Sequence, residues 1–149
     1  IDFENVPKDA HGNLETFLAR LSQLFAPHNW IIVQAAPFDD DDWPYKAYSQ
    51  IVDYTLLMAY DEADDTGPAG AIAGQGWFER ILDQRMQELP ADSTIVAIGA
   101  YGYDWVNGGQ ATTLGGADGR GAARDSGAKI QFDGMQFRRD IGHRALARR

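Results

Sequence analysis

The chain contains no cysteine among its 149 residues. Disulfides and thiolate metal sites are therefore excluded, and the redox compartment stays open. No apolar run approaches the ~20 residues that a membrane-spanning helix needs. Ile1-Asp2-Phe3-Glu4 does not read as the charged stretch and apolar core of a secretory leader. The three histidines, His11, His28 and His143, lack metal-ligand spacing. Neither a phosphate-cradling glycine loop nor a Gly-x-Ser-x-Gly elbow occurs. Positive charge is scarce through most of the chain. Residues 1–119 hold 5 Lys/Arg against 19 Asp/Glu, whereas residues 120–149 hold 8 against 3. An acidic body repels phosphates, which argues against a nucleic-acid partner, and the basic end reads as a solvated tail.

A hydrophobic fraction of 44% is that of an ordinary globular protein, and the length suits one domain. Leu14, Phe17, Leu18, Leu21, Leu24 and Phe25 recur at helical spacing behind a candidate cap at Asn13. The run from Trp30 to Ala36 reads as a buried strand ended by Pro37. A short helix is expected after Pro44, and a second buried strand over Tyr54–Tyr60. A loop from Asp61 to about Gly74 leads into a helix carrying Trp77, Phe78, Ile81, Leu82 and Leu89, stopped by Pro90. A third strand is expected over Thr94–Ala100. Beyond Trp105 the pattern fades, with a weak helical reading near Gly121–Ser126 and little periodicity over residues 129–149. Strands alternating with helices predict a parallel sheet, and continuously apolar strands predict cover on both faces. Pattern alone favours a small doubly wound sheet, because a closed (β/α)₈ barrel typically takes about 250 residues.

Loops after the carboxyl ends of parallel strands build sites, and three such ends carry chemistry. Asp2 and Glu4 alternate onto one face of a half strand. Neighbouring carboxylates resist double ionisation, so one of them can act as an acid near neutral pH. Met58-Ala59-Tyr60-Asp61 ends the second strand, with Met58 and Tyr60 on one face and a hydroxyl able to donate to developing charge. Tyr101-Gly102-Tyr103-Asp104-Trp105 ends the third, with aromatics able to stack on sugar rings. Each taken alone has a plain reading: solvated acids at a chain end, a core strand closed by a turn-forming Asp, and packing aromatics. Asp39-Asp40-Asp41-Asp42 lacks the spaced ligands of a calcium loop and reads as a solvated acidic loop.

In order and position, these segments resemble family-18 glycoside hydrolases. Asp2 and Glu4 are similar to the last Asp and the Glu of the family's Asp-x-x-Asp-x-Asp-x-Glu at barrel strand four. Met58 to Asp61 matches its Met-x-Tyr-Asp at strand six, and Gly99 to Trp105 resembles the end of strand seven. Glu4-Asn5-Val6-Pro7 and the loop from Gly67-Pro68 to Ile72-Ala73 resemble the bacterial branch acting on peptidoglycan and related cell-surface glycans. Some members of that branch are fused to polysaccharide deacetylases or glycosyltransferases. The resemblance implies a TIM-type parallel (β/α) barrel, present as a part from the end of strand four to strand seven. It covers residues 1–133 as a partial catalytic domain, leaving 134–149 as a loosely ordered basic tail.

It further implies substrate-assisted hydrolysis of N-acetylglucosamine-containing polysaccharide, without metal or cofactor. Glu4 is then the acid, Asp2 orients the acetamide, and Tyr60 bonds the acetamide oxygen. Met58, Asp61, Tyr101, Tyr103 and Trp105 bind substrate. An extracytoplasmic or cell-surface setting follows from the resemblance alone. Its partners are the glycan and either the remaining barrel or such fused domains. The two upstream acids and any strand eight are lacking, and open sheet edges expose unpaired backbone. The chain alone is thus expected to be marginally stable or oligomeric. A glycan-binding module and an inactive fragment are the alternatives to an enzyme.

Overall fold

In a computed structural model, residues 1–105, 111–127, 129–132 and 137–139 are described. The chain forms two units: Ile1–Ala59 with Phe78–Ile98, and Tyr60–Trp77 with Gly99–Arg149.

The first unit is built on three parallel strands, β1 (Val33–Pro37), β2 (Tyr54–Ala59) and β3 (Thr94–Ile98), in that order. Pro37 aligns with Met58 and Met58 with Ala97. The expected half strand at the chain start is present in outline. The Ile1 amine donates to Val33 O at 2.7 Å, and Ala35 N donates to Ile1 O at 2.8 Å. Those two bonds set Ile1 opposite Gln34, running parallel to β1.

Burial alternates along β1 and β2. Gln34, Ala36, Thr55, Leu57 and Ala59 are buried, whereas Val33, Ala35, Leu56 and Met58 are only half-buried. The expectation of cover on both faces is therefore met on one face of β1 and β2, because successive side chains point to opposite sides of a strand, and on neither face of β3, where Ile95 and Ile98 are exposed.

The strands are shorter than their apolar runs. Asn29 turns the chain with φ 54, and Trp30 and Ile31 stay 59% and 63% exposed before β1 begins. Trp30 packs instead against Phe25 and His28. The helix α1 (His11–Phe25) starts before the expected cap at Asn13, because a 3-10 turn over Lys8–Ala10 follows the extended Pro7. His11 and Leu14 are buried and Leu18 fully so, while Phe17 and Leu24 of the same stripe are exposed. The His11 imidazole is bonded to Tyr48 at 2.8 Å, and the Tyr48 hydroxyl donates to His11 O. His11 Nδ1 is thus the donor of that pair. A short helix α2 (Tyr45–Ser49) follows Pro44, and α3 (Gln75–Arg85) contributes buried Ile81 and Arg85.

In the second unit, β4 (Tyr101–Asp104) pairs antiparallel with β5 (Thr112–Gly115). Tyr101 to Asp104 therefore form a strand of their own, not the tail of the third strand. The cause is a partner, Thr112–Gly115, too short to register as a period. Next, α4 (Gly116–Ser126) ends at Gly127, whose φ of 67 suits a left-handed cap. Then β6 (Ile130–Phe132) pairs antiparallel with β7 (Phe137–Arg139), where the sequence shows little periodicity. The remainder of the basic tail, 140–149, lies outside the described residues.

Among the described residues, the Thr55 hydroxyl and the Gln34 side-chain carbonyl are buried without a hydrogen-bond partner. A buried unmade bond costs about 1–3 kcal/mol, so an apolar isostere relieves it. Thr55→Val should leave the fold intact and raise stability by up to ~1 kcal/mol in thermal or urea melts. A clear loss would show that this hydroxyl is engaged.

Candidate active site

The expected site residues fall in both units. Asp2, Glu4 and Met58 belong to the first, and Tyr60, Asp61, Tyr101, Tyr103 and Trp105 to the second.

In the first unit, pairing of Ile1 with Gln34 fixes the direction of the next three side chains. Alternation places Asp2 and Glu4 on the half-buried face that also carries Ala35 and Met58. Both carboxylates are exposed. Directly after Glu4 the chain turns at Asn5, with φ 53, which ends the extended run at the acid.

The acidic run beyond β1 is spent on structure. Lys8 bridges to Asp42 at 2.5 Å, and Asp40 Oδ1 accepts from Asp42 N at 2.9 Å. Arg85 is only 1% exposed and organises the rest. Its Nε donates to Phe38 O at 3.0 Å, Nη2 to Asp41 at 2.8 Å and Nη1 to Glu88 at 2.6 Å. Its guanidinium lies 4.2 Å over the Tyr45 ring. Tyr45 in turn donates to Pro37 O at 2.8 Å, and burial pushes its phenol above the usual value. Burial likewise raises the Tyr48 phenol, to about 12. Sequence reading missed Arg85. Its signal was a cation four residues after Ile81 and four before Leu89, on the apolar stripe of that helix. No cluster of three or more His, Asp or Glu suited to a metal occurs among the described residues.

In the second unit, Asp61 stands at φ 65, the left-handed region that side chains other than glycine seldom occupy. Its Oδ1 accepts hydrogen bonds from both Tyr101 and Tyr103, the latter at 3.1 Å. The two hydroxyls reach one oxygen because residues two apart share a face of β4. Burial and then the Asp61 carboxylate raise both phenols above the usual tyrosine range. Tyr60, Tyr101, Tyr103 and Trp105 form an edge-to-face ladder with centroids 5.8, 5.5 and 5.5 Å apart. Trp105 Nε1 donates to Asp64 O at 3.1 Å. Asp64 itself caps Thr66 and Gly67. Glu62 N and Ala63 N donate to Ile72 O and Ala71 O, which close the loop upon itself. Gly99, noted in the sequence only as the start of the strand-seven segment, has a packing role. A Cβ there would lie 2.9 Å from Tyr60 Cβ and 3.1 Å from Tyr101, so only glycine lets these rings approach.

No family model matches the chain. It is 30% identical over 125 residues to the uncharacterized glycosylase YvbX of Bacillus subtilis, covering 76% of this chain and 36% of that protein. It is 28% identical over 121 residues to the cortical fragment-lytic enzyme of Bacillus subtilis, covering 76% and 27%. Among solved structures, the chitinase from Chromobacterium violaceum superposes with TM-score 0.81 at 27% identity, over 89% of this chain and 45% of its own. The family-18 chitinase from Cycas revoluta shares the fold, with TM-score 0.72 at 17% identity, over 89% and 49%. The chain is thus similar to part of proteins named glycosylase, cortical fragment-lytic enzyme and chitinase, and it shares the fold of a family-18 chitinase. It spans about a third of the length of the curated relatives it matches.

The Arg85 network yields a stability prediction. Arg85→Met leaves Asp41 and Glu88 able to reach water, so its cost is the lost charge-assisted bond to Phe38 O and the lost contact with Tyr45. That amounts to about 2–3 kcal/mol in urea melts. Its pH dependence follows from Asp41, whose carboxyl is held below its ordinary 3.8 by hydrogen bonds from Arg85 and Gln84. A depressed folded value adds stability above the ordinary value, lost as pH falls from there through the folded value. Asp41→Asn should flatten the melting temperature against pH below about 4, and an unchanged profile would refute the pairing.

Proposed function

We propose that this domain belongs to a hydrolase of β-linked N-acetylglucosamine glycans, chitin or cell-wall peptidoglycan. In this reading residues 1–133 supply the end of strand four through strand seven of a (β/α) barrel, and residues 134–149 lie outside it. The observation that carries the reading is the pair of motifs at strand ends. Asp2 and Glu4 follow a residue locked to β1, and Tyr60-Asp61 follows β2 directly. The glycosylase, cortical fragment-lytic and chitinase relatives support it.

The chemistry assigned to these residues is substrate-assisted. Glu4 gives its proton to the glycosidic oxygen as the bond to the anomeric carbon breaks. The acetamide oxygen of the same sugar forms a bond to that carbon, giving a cyclic oxazolinium ion. Glu4, now ionised, takes a proton from water, whose oxygen opens the ring with net retention. Asp2 orients the acetamide and stabilises its developing positive charge. Tyr60 is assigned the acetamide oxygen, and Met58, Asp61, Tyr101, Tyr103 and Trp105 are each assigned a contact with the sugar. A lone acid suffices because the nucleophile arrives with the substrate.

The test is release of chromophore from an N-acetylglucosamine oligomer by the chain, by a protein extended to the relatives' length, and by Glu4→Gln in each. Removing a general acid should lower turnover on the order of 10²- to 10⁴-fold with smaller change in substrate affinity. Turnover unaffected by Glu4→Gln would overturn the assignment. Glycan binding without turnover in the extended protein would make this a binding module.

A further inference from the structure

We propose that Tyr101 and Tyr103 act as positioning residues for Asp61, gripping its carboxylate through their hydroxyls so that it meets the glycan in one orientation. The inference rests on the glycan-hydrolase reading for what Asp61 contacts, and on this structure for how Asp61 is held.

Three observations carry it. Both hydroxyls converge on the same oxygen, Oδ1, and among the described residues no other group bonds this carboxylate. A carboxylate carries about four lone-pair sites, so the grip leaves Oδ2 able to accept from a sugar hydroxyl or amide. The rings themselves are poorly arranged as a stacking platform. Tyr60 meets Tyr101 at 79°, Tyr101 meets Tyr103 at 78°, and Tyr103 meets Trp105 at 63°. In each pair one ring stands edge-on to the other, so the rings share no common flat surface on which a sugar could lie. Finally, Asp61 stands in left-handed backbone directly after Tyr60. Aspartate tolerates that region better than most residues, and there its carboxylate meets the two hydroxyls of β4 within the same unit.

The grip also explains the repeat Tyr-x-Tyr. Residues 101 and 103 point the same way from β4, so two donors arrive side by side. With one tyrosine alone, the carboxylate could pivot about a single bond.

Phenylalanine separates the two roles, because it keeps the ring and deletes the hydroxyl. Calorimetric titration of the chain with the N-acetylglucosamine trimer is the first measurement. Tyr101→Phe and Tyr103→Phe should each weaken binding on the order of ten-fold, the worth of a hydrogen bond to a charged group. In an Asp61→Ala background the same changes should have no further effect. Full affinity in both phenylalanine variants, with loss only in Tyr101→Ala or Tyr103→Ala, would mean the rings serve as platforms and would overturn the proposal. So would equal losses with and without Asp61.

The second measurement needs no ligand. Tyrosinate absorbance against pH, recorded on the free chain, should show two late ionisations move to lower pH in Asp61→Ala. An unchanged curve would remove the grip whatever the trimer does. If the parent chain takes up no trimer, the glycan reading of this chain fails, while the absorbance curve still decides the grip.

Discussion

Register in the parallel ladder is the constraint on which the chemistry of the first unit depends. Side chains alternate strictly along a strand, so a slip of one residue reverses every direction. Two backbone bonds lock Ile1 opposite Gln34. Asp2 and Glu4 therefore face the same way as Met58, and a slip would turn both acids to the buried side with Ala36 and Leu57. The same alternation gives β1 and β2 one buried face and one half-buried face. A (β/α) barrel uses such a sheet by covering one face with helices and packing the other against its remaining strands. The half-buried face carrying Met58 is thus the one on which acids can stand.

Loops at strand ends are held by two different means. Beyond β1, a buried guanidinium takes one backbone carbonyl and two carboxylates, and an aromatic face covers it. That arrangement works because Arg85 can spread five donors while its two anionic partners remain in contact with water, which spares their desolvation. Beyond β2, the polarity is reversed. An anion, Asp61, takes neutral hydroxyls, which leaves its charge uncancelled. A cation beside Asp61 would hold it as firmly and would neutralise it. Neutral donors fix the carboxylate and keep its charge available to a ligand.

Much of the fold was legible because parallel strands read as short apolar runs between breakers, whether the strand is buried, as β2 is on one face, or exposed, as β3 is at Ile95 and Ile98. Tyr54–Ala59 and Thr94–Ile98 follow that rule to within a residue or two. Trp30 and Ile31 break it, since an apolar residue beside a turn looks the same as one inside a strand. Their true state depends on Asn29 and on the rings of Phe25 and His28. Tyr101 to Asp104 were misplaced because an antiparallel partner of four residues leaves no period.

The candidate site residues could be picked out as types at strand ends, and their connections could not. Tyr101 and Tyr103 lie 40 and 42 residues from the carboxylate they serve. Alternating aromatics on one strand imply a common face, and that face is compatible with a sugar platform or with a shared acceptor. Only ring angles and the position of Asp61 separate the two. Gly99 shows the same dependence. Its reason is a distance of 2.9 Å between an absent Cβ and Tyr60, a contact that no local pattern encodes. The proposed function depends on such second-order placements. Residue type supplies an acid, a hydroxyl or a ring, and the strand that carries it decides which of its properties a ligand meets.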